Sequence, residues 1–299
     1  MYNRILSQFE PEQIKINEPL KKHTTFKIGG PADIMLFPSN INDLQKAINI
    51  CVEDNLPYFI MGQGSNLLVR DGGYRGIIIK IGSNLKKFVV QDTKIYAEAG
   101  VRLSELARAA AAHSLTGFEF AEGIPGSLGG AVVMNAGAYD SEMKNVLESV
   151  QALNTRGQID TFKVEELDMS YRKSIFQEND LIIVSAILQL KRGEKTLIQT
   201  TMRDFARRRR EKQPLDYPSA GSVFRRPEGI YVGPIIEKIG LKGCAIGDAQ
   251  VSEKHAGFII NKGNATASDV LKLIKFIQEK ALQTYGIELK PELAIVGED

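Results

Sequence analysis

The feature that most constrains this chain is one stretch near its middle, EGIPGSLGGAVVMNAGAYD, residues 122–140. It carries Gly123, Gly126, Gly129, Gly130 and Gly137 among small and apolar neighbours. Glycine loses more conformational freedom on folding than any other residue, so such density is retained where backbone must pass close to something. Two explanations fit: a tight packing loop beside a helix start, or a backbone nest whose N–H groups hold an anion. A second, shorter glycine loop lies upstream: Gly62-Gln63-Gly64-Ser65-Asn66-Leu67-Leu68, after an apolar run at 58–61. By itself it reads equally well as a plain strand-to-turn junction. A dinucleotide fingerprint of the doubly wound kind would need a third glycine where Leu67 stands, which disfavours that fold.

Periodicity supplies the surroundings. Leu44, Ala47, Ile48, Cys51 and Val52 predict a helix over 42–51, and Leu103, Leu106, Ala107, Ala110 and Ala111 predict another over 103–112. Short apolar runs at 58–61 and 76–81 read as strands, and 89–97 as a hairpin. Runs at 149–154, 158–162 and 181–190 are joined by turns rather than crossover helices, which implies an antiparallel sheet. A helix is expected over 200–212, ending in RRRREK; a solvated, dipole-favoured helix end explains Arg207–Arg210 better than a phosphate clamp. Prolines at 214, 218 and 227 then break the chain. The last helix is expected over 268–285, with Thr266 and Asp269 as a capping box and Gly286 just past its end.

Charge is nearly balanced, with 38 Lys and Arg against 36 Asp and Glu, so a nucleic-acid partner is not expected. No apolar run approaches the length of a membrane span or a signal peptide. Two cysteines, Cys51 and Cys244, fit a reducing compartment, and His23, His113 and His255 show no metal-ligand spacing. A cytoplasmic protein without metal, monomeric or weakly oligomeric, is the expectation.

Taken together, GQGSNLL and, some sixty residues on, GIPGSLGGAVVMNAGAY resemble the vanillyl-alcohol-oxidase-type (PCMH) FAD-binding fold. More closely, they resemble the UDP-N-acetylenolpyruvoylglucosamine reductase family, a likeness running from HTTFKIGGPAD near the start to KPELAIVG at the end. The resemblance implies an α+β protein. Residues 1–200 would form a two-lobed FAD-binding domain (about 1–82 and 83–200), and residues 201–299 a smaller α+β substrate-binding domain. FAD would be held without a covalent bond, since no His or Cys lies within GQGSNLL. Its implied cradle comprises Gly62, Gly64, Ser65, Asn66 and Leu67 with Gly123, Ile124, Pro125, Gly126, Ser127, Gly129, Gly130, Asn135, Gly137 and Ala138.

The implied reaction takes hydride from NADPH through FAD to the enolpyruvyl ether of a UDP-sugar, giving UDP-N-acetylmuramate for peptidoglycan. Three positions match the family's catalytic motifs. Ser222 in SAGSVFRRP would protonate the substrate carbon, Arg172 in SYRKSIF would steady the carboxylate, and Glu292 in KPELAIV would orient or stabilise the intermediate. By residue type alone, each reads as an ordinary turn or surface residue. Lys212, Arg226, His255 and Tyr171 are the implied substrate contacts. The family's usual Lys-Asn-Pro is Arg225-Arg226-Pro227 here, and the tyrosine-bearing insertion of the longer family form is missing, so the chain resembles the shorter form. Two rival readings use the same loops: an FAD oxidase needing no NADPH, and a non-catalytic nucleotide-binding protein needing no Ser222, Arg172 and Glu292.

Overall fold

The computed structural model describes residues 2–82, 84–227 and 229–299. They fold as two compact units. The first comprises Met1–Lys15, Ile34–Gln63 and Gly76–Arg209, and the second Ile16–Asp33, Gly64–Arg75 and Arg210–Asp299. Seven α-helices are described: α1 (Asn3–Gln8), α2 (Ile41–Glu53), α3 (Leu103–Ala112), α4 (Leu128–Val133), α5 (Lys195–Lys212), α6 (Val232–Lys238) and α7 (Ala267–Tyr285).

The first unit is built round a five-stranded antiparallel sheet. Its strand order is Ile159–Lys163, Leu147–Leu153, Ile182–Gln189, Lys94–Glu98, Phe88–Gln91. The runs at 149–154, 158–162 and 181–190 form an antiparallel sheet without crossover helices, as their turns imply. The 89–97 hairpin pairs Val89 with Tyr96 and Val90 with Ile95. A four-stranded sheet contains Tyr58–Met61 running parallel to Tyr74–Lys80. Ile77, Ile78 and Ile79 are all fully buried, the mark of a strand covered on both faces. The start of α2 is fixed by Asn40, whose side chain accepts from the Asp43 N–H at 2.9 Å. Leu44, Ala47, Ile48 and Cys51 bury its apolar stripe, and α3 does the same with Leu106, Ala107 and Ala110. α5 begins at Lys195, five residues before its expected start, where Glu194 accepts from the N–H groups of Thr196 and Leu197.

The second unit has its own core, in which Phe26, Ile28 and Leu68 join Val223, Phe224, Val251, Ile259, Val270, Leu273 and Ile277. α7 is the longest element. Its capping box is present as expected, with Thr266 accepting from Asp269 N–H and Asp269 from Thr266 N–H, and Gly286 ends it at φ 65°. Asp71 adds two acceptors at the same helix start, taking the N–H groups of Ala267 and Ser268 at 2.8 and 2.9 Å. A three-stranded antiparallel sheet (Ala245–Ile246, Ala249–Val251, Ile259–Asn261) packs on α7. The short strand Ala294–Val296 pairs in parallel with Leu67–Val69. Among the described residues no helix is long and apolar enough to cross a membrane.

Candidate active site

In the first unit the two glycine segments touch. Strand Tyr58–Met61 ends at Gly62, where a Cβ would lie 2.6 Å from the hydroxyl oxygen of Ser127. Ser127 is buried, and the backbone beside it is lashed to residues 99–103. Leu103 N–H donates to Gly126, and the N–H groups of Leu128 and Gly129 donate to Val101 and Ala99 at 2.8 Å. These bonds fix the entry into α4. Gly129 faces inward against Ala99. Gly130 differs: it is exposed, and a Cβ there would meet only the Ser127 hydroxyl, at 3.8 Å. Helix propensity and packing would both accept alanine at that position, so its glycine keeps space beside the backbone open. An open cradle of this kind suits a phosphate-bearing cofactor. Gly123 and Ile124 are half-buried and Pro125 is exposed along the same loop.

Downstream, Gly137 and Ala138 pair with Ser141 and Glu142 as a hairpin, with Tyr139 and Asp140 at φ 53° and 62° in its turn. Asn135 is fully buried, and both ends of its amide are used inside the protein. Nδ2 donates to Ser170 O at 2.9 Å, and Oδ1 accepts from Lys144 N–H at 2.9 Å. Its part is therefore to clamp the glycine segment to the SYRK turn. In that turn Ser170 and Lys173 exchange backbone hydrogen bonds at 3.2 and 3.1 Å, and Arg172 takes φ 56°. The Arg172 guanidinium donates to Gly137 O at 3.3 Å and lies 5.0 Å over the Tyr171 ring. Ser174, inside SYRKSIF, and Gln177, just past it, hold this arrangement. Ser174 Oγ donates to Val133 O at 2.7 Å, and Gln177 Nε2 donates to Val133 O and Arg172 O at 2.9 and 3.0 Å.

In the second unit the segment carrying Ser222 lies between two others. Val223 N–H donates to Gly257 O at 2.9 Å on one side. On the other, Val223 O accepts from Glu292 N–H at 2.8 Å, and Arg225 N–H donates to Lys290 O at 2.8 Å. This three-segment pairing brings Ser222, the 255–258 turn and Glu292 together. A Cβ on Gly257 would lie 3.0 Å from His255 Cε1 and 3.5 Å from Ser222 Oγ, so hydroxyl and imidazole flank one glycine. His255 Nδ1 accepts from Gly257 N–H at 3.1 Å, which leaves the ring proton on Nε2. Burial first, then the positive charges of Lys242 and Lys212, hold its pKa below the usual imidazole range. Lys212 is exposed at the end of α5.

Asn66 donates from Nδ2 to Glu292 O at 3.3 Å and accepts Ala294 N–H at 3.0 Å, so this part of GQGSNLL steadies the Glu292 backbone. Glu292 stands two residues before the strand Ala294–Val296 rather than on it, half-buried. Leu67 is buried beside Ala294, Gly64 takes φ 64° and accepts Thr25 N–H at 3.1 Å, and Ser65 is half-buried between them. Arg226 is exposed and stacks 3.8 Å over Tyr231. The structure thus gathers Arg172, Tyr171, Gly62 and the 123–138 segment in one unit, and Ser222, Glu292, His255, Lys212, Arg226 and residues 64–67 in the other.

Residues 32–163 match the FAD binding domain family, and residues 213–296 match the C-terminal domain of UDP-N-acetylenolpyruvoylglucosamine reductase. The UDP-N-acetylenolpyruvoylglucosamine reductase of Syntrophomonas wolfei is 58% identical over 100% of both chains. That of Caldanaerobacter subterraneus is 52% identical over 96% of this chain and 94% of its own. The crystal structure of the Thermus caldophilus enzyme superposes with a TM-score of 0.81 at 34% identity, covering 94% of this chain and 97% of that one. An α+β chain with an FAD-binding domain and this C-terminal domain is a flavin-dependent oxidoreductase. It belongs to the UDP-N-acetylenolpyruvoylglucosamine reductase family.

Proposed function

We propose that this chain reduces the enolpyruvyl ether of UDP-N-acetylglucosamine to UDP-N-acetylmuramate with NADPH, in the cytoplasmic supply of peptidoglycan precursors. When bound, FAD supplies hydride to the terminal enolpyruvyl carbon after taking it from NADPH. Gly62, Ser127 and Gly130, with Ile124, Pro125 and Gly126 beside them, hold the cofactor without a covalent bond; Gly64, Ser65 and Leu67 belong to the same reading. Residues 201–299 serve the substrate.

The observation that carries this reading is the pairing that places the Ser222 hydroxyl beside His255 and on the segment hydrogen-bonded to Glu292. Hydride addition leaves negative charge next to a carboxylate, and the adjacent carbon must gain a proton. A serine hydroxyl keeps its proton until a strongly basic carbon faces it, which matches donor to acceptor. Arg172 offers a planar fork to the carboxylate, and its bond to Gly137 O aims it from the cofactor segment. Glu292 orients the intermediate, and the His255 Nε2–H is a donor for substrate oxygen. Lys212, Arg226 and Tyr171 contact the substrate's anionic and polar groups.

Ser222→Ala separates this reading from an oxidase. NADPH should still bleach the bound flavin at the wild-type rate, while reoxidation by the enolpyruvyl sugar slows by about 10²-fold or more. Equal slowing of both halves, measured by stopped-flow absorbance, would remove Ser222 from the proton-donor role. Reduction by a sugar alcohol with reoxidation by oxygen would favour the oxidase.

A further inference from the structure

The four consecutive arginines at the end of α5 do not behave alike. Arg207 and Arg208 both close on Asp204, at 2.7 Å each, and Arg210 is exposed. These three fit a solvated helix end. Arg209 does not. It lies on the face of α5 that carries Ile198 and Met202 into the core, at the spacing 198, 202, 205, 209. Its arm lies flat against the cofactor loop: a Cβ on Gly123 would stand 2.9 Å from Arg209 Cδ, 3.6 Å from Nη1 and 3.7 Å from Nε.

Among the described residues Arg209 has no carboxylate within ion-pair distance and no hydrogen-bond acceptor. Burial depresses its pKa, and the Tyr139 hydroxyl, whose ring stacks on Phe205 at 4.1 Å, opposes that shift. Yet its nitrogens are not among the sealed, unsatisfied polar atoms, so its tip can be reached from outside. A desolvated guanidinium without an anion is costly, and arginine's fork is shaped for phosphate. The side chain that would complete it is absent from the protein, and the surface it adjoins is the 123–130 glycine loop.

We propose that Arg209 is the counter-ion of a phosphate oxyanion lying on the 123–130 loop, and that this phosphate belongs to the diphosphate of bound FAD. The inference rests on the flavin reading and names the residue that neutralises its charge. Gly123 is glycine, on this view, because the Arg209 arm occupies the place of a side chain.

The test compares wild type with Arg209→Met and Arg209→Lys in the deflavinated full chain. Flavin-fluorescence titration should show FAD affinity weakened roughly ten- to hundredfold in Arg209→Met, the range for a lost charged hydrogen bond, and less in Arg209→Lys. Riboflavin, which has no phosphate, should bind both proteins alike. The flavin-free Arg209→Met protein should melt no lower than wild type, since it loses an unpaired, partly desolvated charge. A residue that merely braces the loop would lower that melting temperature and weaken riboflavin as much as FAD, and that outcome overturns the proposal. It is equally overturned if FAD affinity stays within twofold while KM for NADPH or for the UDP-sugar rises at saturating FAD, because the phosphate would then belong to another ligand. Failure here would leave the Ser222 experiment untouched.

Discussion

Gly130→Ala should raise the stability of the flavin-free protein and lower its affinity for FAD at once. The residue is the third of six in α4, exposed, and a methyl group there meets only the Ser127 hydroxyl at 3.8 Å, an ordinary contact. Nothing in the fold opposes alanine, and replacing a helical glycine by alanine stabilises by about 0.5–1 kcal/mol. For a cooperative unit of 150–250 residues that is a rise of about 1–4 °C in Tm. If the open space above Gly130 admits a phosphate to the backbone, the methyl group lengthens or breaks at least one charged hydrogen bond. Such a bond is worth about 1.5–3 kcal/mol, or a ten- to hundredfold loss in FAD affinity. Gly62→Ala is the contrasting substitution. Its methyl group would lie 2.6 Å from Ser127 Oγ inside a packed segment, so melting temperature and FAD affinity should fall together. Scanning calorimetry without flavin and fluorescence titration with it read the two quantities separately. A higher Tm with FAD affinity unchanged in Gly130→Ala would refute the cradle.

Arg172→Lys keeps the charge but not the fork that reaches Gly137 O, so oxidation of the reduced flavin by the enolpyruvyl sugar should slow at least about tenfold, with reduction by NADPH unaffected; rapid-mixing spectroscopy of each half gives the answer, and equal loss in both would place Arg172 elsewhere. The pH dependence of stability should carry a His255 signature. Its folded pKa lies below the unfolded value of about 6.5, so between those two values the unfolded chain binds the extra proton and stability rises with pH. Above about pH 6.5 the group contributes nothing, and below it stability falls as protonation competes with the Gly257 N–H bond to Nδ1. The drop in Tm between pH 8 and pH 5.5 should therefore be smaller in His255→Asn than in wild type, and an equal drop would show that the imidazole is not held neutral.

Local physics was written plainly in parts of the chain. The stripe over 103–112 is α3 at its expected bounds, and Thr266, Asp269 and Gly286 cap α7 as their spacing requires. Strand 58–61 was equally legible, because a short apolar run ending at glycine has few alternatives. Other features left no local trace. α4 is a helix inside the segment whose glycines argue against helix, and it forms because hydrogen bonds from Leu128 and Gly129 to Val101 and Ala99 anchor its first turn. Ser174 and Gln177 hold the end of α4 through Val133 O, from more than forty positions away. The arginine run could have been resolved more finely, since the 198–202 stripe continued along α5 points at 209.

By itself, the sequence determined the antiparallel character of the larger sheet, the helices whose caps and stripes are local, and the two glycine segments whose density demands close backbone approach. Those are properties of neighbours along the chain, and short-range sterics and periodicity suffice to express them. Tertiary structure alone decided that residues 16–33 and 64–75 join the C-terminal part to complete the second core. It alone put Ser222, His255 and Glu292 on adjoining segments and set one arginine of four against Gly123. The physical reason is that each depends on which distant segments pair and bury one another, and no residue's propensity encodes its partner's position.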